Sequence, residues 1–588
     1  MSEHPESPSR LKWTLVICGA LFLASAIAQS RVHFFQQGEI ISVASRNHKL
    51  TLKQRDPAKR GVIVSRDGKV LAEDDEGFEF SLDLTKVPQS PGFFTALSAA
   101  SGIPASEFLD LASRGAKRAY WNVPMTPAQA ARIREVMTAW SADGVSVAAS
   151  GRRSYPMAEA AAGIVGVFRK EVGPDKTVHD LSTGLEKKQA GKLEGRDGVT
   201  VGMADRNGEF LPMRIASVEQ VRRDGSRIEL TIDSELQLVA TQAIREAVES
   251  NDATRGSAVV IDPSSGDILA MANWPSFNPN LQQRPLGPAT TTSDFNMNTM
   301  GAYEPGSTFK ILTMAKAIDE GLISESTSIY CKGTHAYNDK WRISCDMHNG
   351  TRAHGQVDTE AAIAKSCNVS AAMWALQIGY PEFVKFIEDL GVLKVQDIGL
   401  PNERPGLFNY GEYAKPLQLM NVGFGQALNT TPLGLCSAYS MLGNGGVRMK
   451  PRLIKSIDGR ETAISEAGRI ISAETAARVL HLMESVIEKD MGTGSRLRIP
   501  GFRLAGKTGT AQKIGSPDEA GGHVSNFVGY VPAEKPRVVI LVMVDAPKRG
   551  RIYGSTVAGP VFHELAKASI RRLGIAPSGP VEAAPIVP

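Results

Sequence analysis

A charge-free run near the amino terminus constrains this chain more than any other feature. Trp13 to Ala28 reads WTLVICGALFLASAIA. As a helix rising 1.5 Å per residue it spans about 24 Å, close to the roughly 30 Å hydrocarbon core of a bilayer. Gln29, Ser30 and a snorkelling Arg31, followed by Val32-His33-Phe34-Phe35, bring it to a spanning length. The expected reading is an uncleaved transmembrane anchor over 13–35 behind a cytoplasmic tail of residues 1–12. Arg10 and Lys12 favour a cytoplasmic amino terminus, which places the rest of the chain outside the membrane. The alternative is a signal peptide cut after Ala26-Ile27-Ala28.

Past the anchor the texture is that of soluble domains. Apolar residues make up 42% and charged residues 22% of 588 positions, which argues against wholesale disorder and against a multi-span membrane protein. A net charge of +4 is too small to suggest a nucleic-acid binder. Five cysteines without C-x-x-C spacing do not make a disulfide scaffold. Cys331 and Cys345 either close a small loop through a disulfide or sit as two free buried thiols, and both readings stay open.

Residues 36–225 mix short strands, such as Gly61–Val64 and Phe78–Leu82, with helices, such as Thr126–Trp140, where Thr126 caps and Pro127 takes the first helical position. No catalytic residue types cluster there, and an elongated, non-enzymatic pedestal is expected. After Asp224-Gly225 come a strand at 228–232, a helix at 234–249, and two strands, 257–261 and 268–273, joined by a turn. Helices follow, and strands return at 526–531 and 538–544 (VVILVMV). Strands at both ends with helices between predict an α+β domain over 226–575, one antiparallel sheet with helices packed on it. The Pro/Ala-rich residues 576–588 read as a disordered tail.

Three short motifs carry chemistry. In Glu304-Pro305-Gly306-Ser307-Thr308-Phe309-Lys310, the Pro-Gly pair breaks the chain and Ser307 falls at the start of a helix. The exposed N–H groups there favour negative charge. Lys310 lies one turn on, on the same face. A serine needs an adjacent base, and a lysine serves if burial and a second cation lower its pKa. Ser366-Cys367-Asn368 is the second motif. Lys507-Thr508-Gly509-Thr510 is the third, its glycines letting a peptide approach an edge strand. Each alone is weak. Together and in this order, S-x-x-K, S-x-N and K-T-G form the catalytic set of serine β-lactamases and penicillin-binding proteins.

The surrounding residues sharpen that resemblance. The chain resembles the class B penicillin-binding proteins, membrane-anchored D,D-transpeptidases of bacterial peptidoglycan, over most of residues 30–565. Arg60–Ala72 is similar to the family's R-G-x-I-x-D-R-x-G-x-x-L-A segment, with Ser65 in place of the usual Asp. Arg153, Tyr155-Pro156, Gly184-Leu185-Glu186 and Leu193-Glu194-Gly195 resemble its pedestal motifs. Leu230–Asp233 with Gln237, Pro275–Asn280, Gly423-Phe424-Gly425, Thr431-Pro432-Leu433, and Tyr553-Gly554 through Phe562 match further segments. The chain departs at Asn296-Met297-Asn298, where an Arg-Asn-Arg type is usual, and at Cys367.

The resemblance implies a penicillin-binding, β-lactamase-like fold and a role for each motif residue. Ser307 attacks the penultimate D-Ala carbonyl of a stem peptide, and Lys310 takes its proton. Ser366 relays a proton to the leaving amine, and Asn368 holds the substrate backbone and orients Lys310. Lys507 adds positive charge. Thr508 and Thr510 bind the terminal carboxylate beside Gly509, and the N–H groups of Ser307 and Thr510 form the oxyanion hole. No metal or diffusible cofactor is expected. The implied partners are stem peptides on lipid-linked precursors, β-lactams, the inner membrane, and a polytopic glycosyltransferase with other divisome proteins. The alternatives are an elongation-type rather than a septal transpeptidase, a β-lactamase or D,D-carboxypeptidase, and an inactive scaffold. A bifunctional glycosyltransferase is excluded, because Glu73–Phe78 lacks the needed Phe spacing and reads as a solvated acidic turn.

Overall fold

The computed structural model describes residues 8–35, 51–115, 117–172, 178–204, 210–211, 217–280, 295–336, 338–339, 342–346, 352–408, 416–512, 522–549 and 552–579. They fall into two compact units: 1–59 with 195–225, and 60–194 with 226–588. In the first, Pro8–Phe35 is a helix of 28 residues. Its stretch Lys12–Arg31, of mean hydropathy 1.7, is the one described helix long and apolar enough to cross a membrane. In the same unit, Gly198–Ala204 pairs antiparallel with Thr51–Asp56 and Ser217–Gln220.

In the second unit, a 14-residue strand, Val70–Asp83, pairs with Val145–Ser154 and Arg118–Met125. Phe80 on it packs with Phe93, Phe94, Phe108 and Ile133 of the adjacent helices in a closed core. Helix Pro127–Trp140 begins at Thr126, where a reciprocal capping box with Gln129 satisfies two orphan donors. The acidic segment expected as a turn is a correction. Glu73–Phe78 lies inside the long strand, because Asp74 stands opposite Arg153 and the two form an ion pair at 3.1 Å.

The motif residues Arg60, Arg153 and Glu186 meet in one buried cluster. The fully buried Glu186 carboxylate accepts from Nε of both arginines, and Arg153 also donates to the Gly61 carbonyl at 2.8 Å. Removing one partner of a buried pair strands the other charge, at about 3–5 kcal/mol. Glu186→Ala strands Arg60 and leaves Arg153 with Asp74 alone, and is expected to lower the stability of this unit by that order, read as a fall in the melting temperature of the full chain. Ser65, in place of the usual Asp, keeps its loop polar by donating to Asp67, which also accepts from Ser234 and Arg572. The Tyr155 and Asn280 motifs also join: their backbone and amide groups exchange two hydrogen bonds of 2.9 Å.

Among the described strands, Ile228–Leu230 lies outside the five-stranded sheet that the sequence pattern placed it in. It runs parallel to Ile63–Val64 and antiparallel to Ile454–Ile457. The sheet expected from strands at both ends of 226–575 has five antiparallel strands in the order 268–274, 255–261, 538–545, 523–531, 505–512. The continuous apolar run Val538–Val544 in the third of these strands follows from cover on both faces. Val538, Ile540, Val542 and Val544 share a core with residues of helices Ser234–Ser250 and Gly559–Leu573, whereas Val539, Leu541 and Met543 share another with Pro432–Gly443. The start of the expected disordered tail is tied down: Ser578 donates its N–H to the Gly501 carbonyl and accepts from the Arg503 N–H. Residues 580–588 lie outside the described residues.

Candidate active site

The nucleophile motif turns at Gly306, whose φ of +56° is the left-handed region that disfavours a side chain. Gly306–Thr308 form a single 3-10 turn that runs into helix Phe309–Asp319. Gly425 holds this turn: its carbonyl accepts the Gly306 N–H at 2.9 Å, and a Cβ on it would lie 2.1 Å from the Gly306 oxygen. Tyr439 donates its hydroxyl to the Thr308 carbonyl from the apolar helix beneath. Ser307 thus sits at a helix start, 9% exposed, and among the described residues its hydroxyl makes no hydrogen bond.

Lys310 is fully buried one turn on. Its Nζ donates to the Ser366 carbonyl at 2.7 Å and to the Ser366 hydroxyl at 3.1 Å. Lys507, equally buried, reaches the same Ser366 hydroxyl at 2.9 Å and the Thr508 carbonyl at 2.9 Å. Two lysines therefore converge on one hydroxyl that itself has one proton and two lone pairs. Ser366 is held at φ +59°, uncommon for a residue with a side chain. Burial brings the Lys310 ammonium down from its ordinary 10.5 to about 8, although Asp346, Cys345 and Cys367 pull the other way. Burial, and then the charge of Lys310, push Lys507 well below the lysine range. Like charges sharing a dry site cannot both stay protonated at little cost, so one amine is poised to give up its proton near neutrality.

The K-T-G segment lies in Ala505–Gln512, an edge strand of the sheet, which among the described strands pairs with His523–Val531. Its free edge passes the nucleophile turn: a Cβ on Gly306 would lie 3.1 Å from that of Ala511. The Thr508 hydroxyl bonds to Thr493 at 2.9 Å, and the Thr510 hydroxyl accepts from the Gly554 N–H at 3.3 Å. Asn368 opens helix Asn368–Ile378 and donates its amide to the Ser344 carbonyl at 2.8 Å rather than to Lys310.

The chain matches the penicillin binding protein transpeptidase domain over residues 256–567 and the penicillin-binding protein dimerisation domain over residues 55–230. It is a class B penicillin-binding protein. Its relatives include the Neisseria gonorrhoeae protein named "Probable peptidoglycan D,D-transpeptidase PenA", 29% identical over 545 residues, covering 92% of this chain and 89% of that one. Escherichia coli K12 peptidoglycan D,D-transpeptidase FtsI is 27% identical over 586 residues, covering 97% and 94%. A crystal structure of Mycobacterium tuberculosis penicillin-binding protein 3 complexed with aztreonam superposes with a TM-score of 0.65 at 25% identity, covering 90% of this chain and 100% of that one.

In this penicillin-binding protein, sequence reading missed three residues that shape the site. Asn526, fully buried, donates its amide to the Pro305 carbonyl at 3.0 Å and ties the sheet to the nucleophile turn. Thr493 and Tyr439 are the others. The one local signal was a polar Asn526 next to Phe527 and Val528 in a strand of buried residues.

Proposed function

We propose that the protein is a peptidoglycan D,D-transpeptidase that cross-links stem peptides through an ester on Ser307. The observation that carries this reading is the convergence of two fully buried lysines on the Ser366 hydroxyl, one of them a turn on from a helix-end serine whose own hydroxyl makes no hydrogen bond among the described residues. Neutral Lys310 takes the Ser307 proton as the oxygen attacks the D-Ala carbonyl. The proton passes by way of Ser366 to the leaving amine, and D-Ala departs. Backbone N–H groups of Ser307 and Thr510 hold the oxyanion, a stabilisation worth about 3–4 kcal/mol per donor in a comparable hydrolase. Lys507, with the hydroxyls of Thr508 and Thr510 beside Gly509, receives the terminal carboxylate, and Asn368 holds the substrate backbone. An amine of a neighbouring stem peptide then resolves the ester. β-Lactams acylate Ser307 by the same opening step.

The same proposal places residues 13–35 as a single-pass anchor in the inner membrane, residues 36–225 as the pedestal and 226–575 as the catalytic domain outside it. The family matches at 55–230 and 256–567 support that division. Strand synthesis falls to a polytopic glycosyltransferase among divisome partners. Near end-to-end similarity to FtsI supports a septal role, whereas Cys367 inside the S-x-N motif favours the elongation type. Depletion in the source cell separates them: filaments support the septal role, and round cells the other. A long-lived penicillin adduct on the full chain, with an amine acceptor consumed into cross-linked product, supports the transpeptidase. Rapid release to water would mark a β-lactamase or carboxypeptidase, and no adduct an inactive scaffold.

The acylating form needs Lys310 neutral, and its value of about 8 makes that form the minority below neutrality. Because the neutral fraction grows about tenfold per pH unit below the pKa, the acylation rate should climb with rising pH and level off above about 8. The groups facing Lys310 are Ser366, Lys507, Asp346, Cys345 and Cys367. A rate of penicillin acylation that does not change across this range would remove Lys310 as the base.

A further inference from the structure

Beside the S-x-N motif, four side chains converge that the transpeptidase chemistry does not use. The sulfurs of Cys331 and Cys345 lie 3.7 Å apart, those of Cys345 and Cys367 lie 3.8 Å apart, and Cys331 Sγ is 3.6 Å from His354 Nδ1. All four potential ligand atoms fall within 4.8 Å of one another. The three cysteines are buried, at 0%, 0% and 1% exposure. A disulfide needs sulfurs at about 2.0 Å, so the pairing of Cys331 with Cys345 left open by the sequence is not formed here, and three thiols cannot pair evenly in any case.

The distances have a simpler reading. A tetrahedral zinc ion bonds sulfur at about 2.3 Å and imidazole nitrogen at about 2.0–2.1 Å. Tetrahedral angles then set sulfurs about 3.8 Å apart, and sulfur and nitrogen about 3.6 Å apart. The Cys331–Cys345, Cys345–Cys367 and Cys331–His354 separations match such a cage, and the remaining pairs lie within 4.8 Å, a short side-chain adjustment from it. We propose that Cys331, Cys345, His354 and Cys367 bind one structural Zn²⁺ ion that pins the Ser366-Cys367-Asn368 loop. Binding releases the protons of the three thiols and leaves His354 neutral, so no oxidant or reductant is needed. Thiolate-rich, four-coordinate sets select zinc over the hard cations.

The surroundings fit a staple of this kind. Cys331 ends strand Ser328–Cys331, Cys345 follows Arg342–Ser344, His354 precedes Gly355–Asp358, and Cys367 caps helix Asn368–Ile378. Among the described residues, the first and third of these strands pair only with each other, and the second pairs only with Thr334–Ala336. Two-stranded ribbons are marginal on their own, and an ion would tie both to the helix. The Gly333 N–H donates to Cys331 Sγ at 3.3 Å and the Ser370 N–H to Cys367 Sγ at 3.4 Å, the outer-shell donors that orient metal thiolates. Cys367 stands between Ser366, which both lysines contact, and Asn368, so an ion on its sulfur would hold the loop that carries the proton path.

The proposal goes beyond the transpeptidase reading and is decided by metal content, not by acylation. Full-length protein purified in detergent without chelator, or given Zn²⁺ and dialysed, should carry one zinc per chain by mass spectrometry of the metal. Cobalt in its place should show thiolate charge-transfer and tetrahedral d–d bands. Cys331→Ser should weaken zinc more than about 100-fold, beyond the usual loss from an outer-shell change. Ser307→Ala should keep the ion whatever becomes of its acylation, which separates the two readings. If Cys331→Ser fails to fold, the wild-type chain still decides: stripping the ion should lower both melting temperature and penicillin acylation, and Zn²⁺ should restore both. Protein without stoichiometric zinc, octahedral cobalt spectra, or a Cys331–Cys345 disulfide found by peptide mapping would overturn the site. A melting temperature and acylation rate indifferent to stripping would overturn its role at the loop.

Discussion

Ser307→Ala is expected to abolish covalent labelling of the full chain by a fluorescent penicillin while leaving its melting temperature nearly unchanged. The ester needs that oxygen: Ser307 opens the helix that carries Lys310 one turn on, and Lys310 shares the Ser366 hydroxyl with Lys507. The substitution removes one atom from a residue whose hydroxyl has no described partner, so no buried group is left unsatisfied. In a serine hydrolase the loss of the nucleophile costs about 10⁶-fold in turnover. Lys310→Ala should slow acylation by the about 10²–10⁴-fold ascribed to general-base catalysis, and it also strips Ser366 of one donor. Labelling of the Ser307→Ala chain at wild-type level, on another residue, would end the assignment.

How much of this was legible in the sequence depends on the range of the interaction. Thr126 and Gln129 announce their helix because a capping box is local. The run VVILVMV announces a strand covered on both faces, but not that it lies between 255–261 and 523–531. Glu73-Asp74-Asp75-Glu76 has the composition of a turn, since acidic residues fit strands poorly, and the arginines that override this preference lie some 80 residues away (Asp74 to Arg153 is 79). The three motifs are short and ordered, so candidate residues could be named. Their geometry could not: Asn368 turned to Ser344 instead of Lys310, and Ser366 instead took both lysines. The cysteines show the same limit. Cys331 and Cys345 drew notice as a pair, yet His354 and Cys367 come from two other element ends, and no C-x-x-C spacing marks the set.

Gly509→Ala should disable the site from a residue that has no side chain to contribute. A Cβ at 509 would stand 1.8 Å from Asn526 Oδ1, 2.7 Å from its Cγ and 3.0 Å from Thr308 Cγ2. Asn526 cannot simply swing aside, being fully buried with its amide donating to the Pro305 carbonyl at 3.0 Å. Either that bond breaks or the edge strand moves away from Gly306–Thr308. Overpacking of this kind costs about 1–3 kcal/mol, which a chain of this size survives. The larger loss is in rate. Thr308 is next to the nucleophile, and Thr510, whose N–H is assigned to the oxyanion, is next to Gly509. A displacement near 1 Å in such a constellation lowers the rate by about 100-fold. Penicillin acylation of Gly509→Ala should therefore fall by about that factor with the protein still folded, and Asn526→Ala in the same chain should recover part of it by clearing the clash. An acylation rate equal to wild type would mean that the edge strand does not position the reacting carbonyl.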